Sequence, residues 1–163
     1  MCPCSSDIPD NPVVFPHPVA ALLPQSQGMV LLDRVLETGE DHIVVEVTVR
    51  DDGLFANTDH TVPAWVGLEY MAQAIAAFSG YRRKCRGEEI GLGFLLGTRH
   101  YQCSVDSFPC GKRLRVRAEK IIEAANEMSV FDCVIEGDNI HAVSKLNVLL
   151  PQDSKKFLAG KGI

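Results

Sequence analysis

A chain of 163 residues, 46% hydrophobic and 23% charged, has the make-up of one ordinary globular domain, long enough to bury a sizeable core. Its formal net charge of −5 excludes the basic field that bulk nucleic-acid binding needs. No apolar run approaches the roughly 18 residues of a membrane span, and the opening MCPCSSDIPDNPVVFPHP has neither the basic start nor the apolar core of a secretory signal, so a cytoplasmic location is expected.

In chain order, residues 1–17 read as a flexible, proline-rich lead-in, 18–151 as the folded domain and 152–163 as a tail. Pro18 suits the first turn of a short helix over 18–23. Residues 29–38 and 42–50 read as strands, the second with Glu46, Thr48 and Arg50 alternating against Val45, Val47 and Val49. A long helix over 64–81 follows, closed by the cations Arg82, Arg83, Lys84 and Arg86, which complement a helix C-terminus. Four further strands are expected over 92–105, 113–124, 128–137 and 139–150, with short glycine-bearing turns at FPCGK (108–112) and EGDN (136–139). The six cysteines lack paired metal-ligand spacing, so reduced thiols are expected; Cys2-Pro-Cys4 with the distant His17 is a poor metal set.

The long helix is the informative element. In PAWVGLEYMAQAIAAF (63–78) apolar residues recur at Trp65, Leu68, Ala72, Ile75 and Phe78, and Val66, Met71, Ala74, Ala76 and Ala77 fill the other faces. A helix apolar all round is expected to be buried on every side. Glu69 is its one carboxylate, and a carboxylate in such a place is neutral, partnered or there for chemistry. Gln73, one turn on, and Arg34, across the core, are its structural partners by this reading. A five- or six-stranded, mostly antiparallel sheet wrapped around this helix satisfies the order of elements, an α+β architecture.

That order resembles the hot-dog fold, and two motifs narrow the likeness. LLPQSQGMVLLDRVLE (22–37) resembles the N-terminal segment of the 3-hydroxyacyl-ACP dehydratases, roughly LPHRYPxLLVDRV, at Leu23, Pro24, Leu31, Asp33, Arg34 and Val35. PAWVGLEYMAQA (63–74) resembles that family's PGVLxxEAMAQA at Pro63, Glu69, Met71, Ala72, Gln73 and Ala74. FLLGTRHYQCSVDSFPCGKRLRV (94–116) is similar to the strand, turn and strand that follow. The closest likeness is to the dehydratase-like proteins of aryl-polyene biosynthesis clusters, which carry PAWVGxExMAQA. The departures are specific. The family places its catalytic histidine in GHFPG, fourteen residues before the acid, where this chain has Phe55. The loop LFANTDHTVP (54–63) is shorter than the family's, and its only histidine, His60, lies nine residues before Glu69. Gln25 replaces the histidine of the N-terminal motif, and Ala64 the glycine after the family's proline.

Dehydrating a 3-hydroxyacyl thioester needs a base for the α-proton, an acid for the departing hydroxyl and a polarised thioester carbonyl. The resemblance assigns the acid to Glu69, leaves His60 as the candidate base and offers the backbone amides of Ala64 and Trp65, at the positive end of the helix, to the carbonyl oxygen. Gln73 is a supporting, substrate-side residue. The competing structural readings are a solvated loop histidine at His60 and a partly exposed strand residue at His100, which otherwise lines the acyl tunnel. Lys112, Arg113, Arg115 and Arg117 alternate like the solvent face of a strand, whereas Arg82, Arg83, Lys84 and Arg86 offer a positive rim to acidic acyl carrier protein.

The resemblance implies a homodimer or heterodimer with a related hot-dog subunit, the acid and histidine of one site coming from opposite subunits. No cofactor is expected beyond the phosphopantetheine that arrives with the substrate, and no metal. Two other functions fit the residues: a catalytically impaired partner that completes an active dehydratase, and a hot-dog thioesterase whose helix carboxylate activates water. The DRV and MAQA segments favour the dehydratase branch.

Overall fold

The computed structural model describes residues 16–24 and 27–161; Cys2, Cys4 and Gln25 lie outside them. Among the described residues, nine strands and two α-helices follow one another as β1 (His17–Pro18), β2 (Arg34–Thr38), β3 (His42–Thr48), β4 (Thr61–Pro63), α1 (Gly67–Cys85), β5 (Phe94–Cys103), β6 (Ser107–Pro109), β7 (Arg113–Glu123), β8 (Met128–Gly137), β9 (Ile140–Leu149) and α2 (Ser154–Gly160). Seven strands form one antiparallel sheet in the order β1-β2-β3-β7-β8-β9-β5, and β4 pairs with β6 in a second, two-stranded ladder. This is the hot-dog arrangement expected: a large antiparallel sheet against one long helix.

Strand alternation decides which face meets the helix. Leu114, Val116 and Ala118 of β7, Phe131, Cys133 and Ile135 of β8, and Ala142, Leu146 and Val148 of β9 are buried, while Arg113 and Arg115 stay exposed on the other face. From α1, Met71, Ala74, Ile75, Ala77 and Phe78 pack onto that buried face. Gly80 lets the helix touch the 3-10 turn Val19–Leu22, because a Cβ there would overlap the Leu22 carbonyl. The turn after β6 has Lys112 N–H donating to Pro109 O at 3.3 Å, and Gly111, at φ 83°, supplies the left-handed residue that turn requires.

Four expectations change. The helix is not enclosed on every side: Trp65 is 59% exposed, and Leu68, Glu69, Ala72 and Ala76 are only half-buried. These positions recur at helical spacing, so they form one stripe facing away from the sheet. Residues 29–33 are not strand, because Met29 and Leu31 turn their backbones toward α1 and the ladder begins only at Arg34. Arg34 does not reach Glu69; it holds the nearly buried Glu46 on the outer face, Nη2 to Oε1 at 2.8 Å. Phe108 and Pro109, read as part of a turn, belong to β6. Beyond residue 151, α2 docks on the loop after α1: Leu92 N–H donates to Ser154 Oγ at 2.8 Å, and Phe157 meets Phe94 at 5.5 Å between ring centroids.

Candidate active site

The start of α1 is fixed from two sides. The β4–β6 ladder, with Val62 opposite Phe108 and Pro63 opposite Ser107, is continued by the Ala64 N–H donating to Asp106 O at 3.0 Å. From β5, the Tyr101 hydroxyl donates to the Ala64 carbonyl at 2.5 Å. Gly67 permits that approach, since a Cβ there would overlap the hydroxyl. Residues Ala64–Val66 form a single 3-10 turn leading into α1. Of the two amides expected to meet a carbonyl oxygen, Ala64 is thus committed to Asp106, whereas Trp65 lies where helix geometry supplies no intrahelical acceptor.

One turn further, Glu69 Oε1 accepts from Gln73 Nε2 at 2.9 Å. Gln73 is 1% exposed and makes two more bonds: Nε2 to Met29 O at 2.8 Å, and Oε1 from the Leu31 N–H at 2.9 Å. The amide orientation is settled by this set, because the oxygen faces a donor and the nitrogen faces two acceptors. Gln73 therefore clamps the 29–31 segment to α1 and aims the carboxylate of Glu69. Trp65 lies four residues before Glu69, on the same helix face, and meets Phe55 edge-on at 5.6 Å between ring centroids. Phe55, in the place of the family's histidine, also lines a small cavity with Leu31, Val62, Val66 and Tyr70. Thr48 and Arg50 add polar groups to the lining, and burial pushes the Tyr70 hydroxyl up to about 12.

His60 lies elsewhere. Its side chain is 77% exposed, and its Nδ1 stands 3.3 Å from Asp51 Oδ2. Its backbone is left-handed at φ 58°, held by the Cys110 N–H donating to His60 O at 3.0 Å. It lines a shallow groove with Arg50, Asp51, Cys110 and Gly111, to which Glu69 does not contribute. Within the chain, the structure does not bring His60 to the Glu69–Gln73 clamp. His100 is exposed where β5 breaks register between Thr98 and Tyr101, and it borders a groove of about 740 Å³ with Val130, Val134 and Val143.

The basic tail of α1 divides by role. Arg83 Nη2 donates to Pro151 O and, at 3.0 Å, to Gln152 O, fastening the chain ahead of α2. Arg86 forms a two-point pair with Glu88 at 2.8 and 3.0 Å. Arg82 donates to Glu40 O at 3.2 Å and lies over the Phe78 ring, while Lys84 is exposed. Just before β7, Lys112 pairs with Asp138; on β7, Arg113 approaches Glu46, Arg117 pairs with Glu119, and Arg115 is exposed.

A family model described as ApeP-like, ApeP dehydratase, matches residues 17–159. The chain belongs to the ApeP-like dehydratase family. Among solved structures it is similar to the dehydratase heterocomplex ApeI:P from Xenorhabdus doucetiae, at 33% identity and TM-score 0.78, covering 87% of this chain and 96% of that one. It is also similar to Cj0977, a sigma28-regulated virulence protein from Campylobacter jejuni, at 12% identity and TM-score 0.54, covering 83% and 89% of the two chains. The TT0310 protein from Thermus thermophilus matches at 18% identity and TM-score 0.51, covering 71% and 90%. The last two show the shared fold alone. A comparison with curated proteins finds no match. The ApeP-like chain is thus a hot-dog dehydratase of the aryl-polyene type, as the DRV and MAQA segments led one to expect.

Sequence reasoning singled out Glu69 and Gln73 but missed Tyr101 and Asp106, which hold the helix start. Their only signal was position: a lone tyrosine on the strand after the helix, and an aspartate just before β6.

Proposed function

We propose that this chain acts on 3-hydroxyacyl thioesters delivered by acyl carrier protein, with Glu69 as the acid of the reaction. The observation that carries this reading is the three-way clamp of Gln73, which holds one carboxylate in the first turn of α1, four residues after Trp65. A base removes the α-proton, and the negative charge moves onto the thioester oxygen, which the Trp65 N–H and the positive helix end stabilise. The Cα–Cβ double bond forms as the Cβ–O bond breaks, and Glu69 gives its proton to the leaving hydroxyl, releasing water and a 2-enoyl thioester. The phosphopantetheine arm comes with the substrate. At the rim, Lys84, an exposed cation of the helix tail, and Arg82, whose bond to the Glu40 carbonyl leaves its charge in place, are offered to an acidic carrier protein, while Arg86 is paired with Glu88.

The base is best supplied from a second hot-dog subunit. Three observations favour this: His60 is exposed and paired with Asp51, the Glu69 face of α1 is open, and the chain resembles one described as part of a dehydratase heterocomplex. A chain that gives the acid and takes the histidine from a partner unites the dehydratase and partner-subunit readings. Co-purification with a related hot-dog subunit, followed by crotonyl-pantetheine hydration with and without it, tests the proposal. Hydration that requires the partner and survives His60→Ala supports it; full activity of the isolated chain that vanishes in His60→Ala overturns a related, different subunit as the source of the base.

A further inference from the structure

The peptide group between Ala64 and Trp65 is held at its oxygen end. Its N–H is the Trp65 amide. Its oxygen, that of Ala64, accepts from the Tyr101 hydroxyl at 2.5 Å and from the Gly67 N–H. The flanking peptide is fixed as well, by the Ala64 N–H on Asp106 O at 3.0 Å. A donor on a carbonyl oxygen draws charge through the amide and makes the N–H on the same peptide a stronger donor. It also fixes the plane of that peptide, and so the line along which its N–H points.

We infer that Tyr101 is a positioning residue for the dehydratase reaction: its hydroxyl, reaching over Gly67 to the Ala64 carbonyl, aims and polarises the Trp65 N–H toward the thioester oxygen. The inference rests on the reading that this amide meets that oxygen. Three features of the chain fit it. Gly67, in the first turn of α1, has no side chain at the point where one would displace the hydroxyl, and glycine is otherwise a cost within a helix. Tyr101 is half-buried on an edge strand whose register breaks just before it, so the strand delivers this side chain to the helix start. Burial raises the Tyr101 hydroxyl well above the usual tyrosine range, with Cys103 beside it adding to the rise, so the group stays protonated and remains a donor.

The test uses Tyr101→Phe, which deletes only the hydroxyl, in the catalytically active preparation of the protein with any subunit it requires. The probe is butyryl-pantetheine carrying ¹³C at the thioester carbonyl, inert because it has neither a 3-hydroxyl nor a double bond. Wild-type protein is expected to lower the carbonyl stretching frequency of the bound probe relative to the free thioester, and Tyr101→Phe to restore part of that difference. With crotonyl-pantetheine as substrate, kcat should fall several-fold, by about tenfold at most, the worth of one hydrogen bond, while KM stays unchanged. Gly67→Ala, which pushes the hydroxyl away while retaining it, should give the same two changes and serves if the phenylalanine variant folds poorly. A wild-type carbonyl band that does not move overturns the oxyanion role of the amide itself. A wild-type shift kept in full by Tyr101→Phe, with unchanged kcat, overturns the role of Tyr101 and leaves that of the amide standing.

Discussion

Replacing Gln73 with leucine keeps a side chain of similar bulk and removes three hydrogen bonds at once, to the Leu31 N–H, the Met29 carbonyl and Glu69 Oε1. The net worth of a hydrogen bond is about 1 kcal/mol, and a stranded buried donor or acceptor costs about 1–3 kcal/mol. All three bonds are partly buried, so water recovers some of the loss, and the variant should be less stable by about 2–5 kcal/mol. For a chain of this size each kcal/mol moves the melting point by about 2–4 °C, so a fall of about 4–20 °C is expected. Activity should suffer separately. Without its amide partner the Glu69 carboxylate is free to turn away from the substrate, and misplacement of a catalytic group by about 1 Å costs up to about 10²-fold. Thermal unfolding by circular dichroism reads the first effect, and crotonyl-pantetheine hydration, well below the melting point, reads the second. A variant that melts within about 2 °C of wild type and hydrates at the wild-type rate would refute the clamp.

Other outcomes follow from the same geometry. His60→Ala should leave both rate and melting point nearly unchanged in the assembled enzyme, because an exposed pair such as His60–Asp51 is worth about 1 kcal/mol or less; steady-state kinetics and a melt check both. Arg82→Glu combined with Lys84→Glu should weaken carrier-protein binding in a salt-dependent way and spare small pantetheine thioesters, as titration at two salt concentrations would show. Arg83→Ala should instead expose the segment around α2 to limited proteolysis, since it loses the bonds to the carbonyls of Pro151 and Gln152. Burial holds the Cys133 thiol at about 12, above its ordinary value, so at pH 8 the folded chain offers almost no thiolate there; peptide mapping should find Cys133 alkylated only after unfolding.

The helix and the inward strand positions were legible because alternation and helical spacing are local signals. Leu114, Val116 and Ala118 point inward as alternation says, and Met71, Ile75 and Phe78 are buried as an apolar helix requires. Glu69 and Gln73 were legible too, as polar residues one turn apart in an apolar run. What escaped the sequence was decided by distant partners. Residues 29–33 read as strand by composition, yet a glutamine more than forty positions later takes their backbone bonds. The β4–β6 ladder joins segments on either side of α1, and nothing in three-residue stretches announces such a pairing. The open stripe along α1 looks buried in sequence because an apolar face awaiting a partner and an apolar face under a sheet have the same composition. His60 shows the opposite limit: residue type suggested a base, and only its loop, left-handed and turned toward Asp51, reveals where it points.

The acid role of Glu69 is tested most directly by Glu69→Gln, an isosteric change that keeps an oxygen available to Gln73 but removes the transferable proton. The measurement is crotonyl-pantetheine hydration by wild type and variant in the same active preparation, with circular dichroism confirming equal folding. The account predicts a loss of about 10²–10⁴-fold in kcat, the usual worth of a positioned general acid. Hydration by Glu69→Gln at the wild-type rate would contradict it.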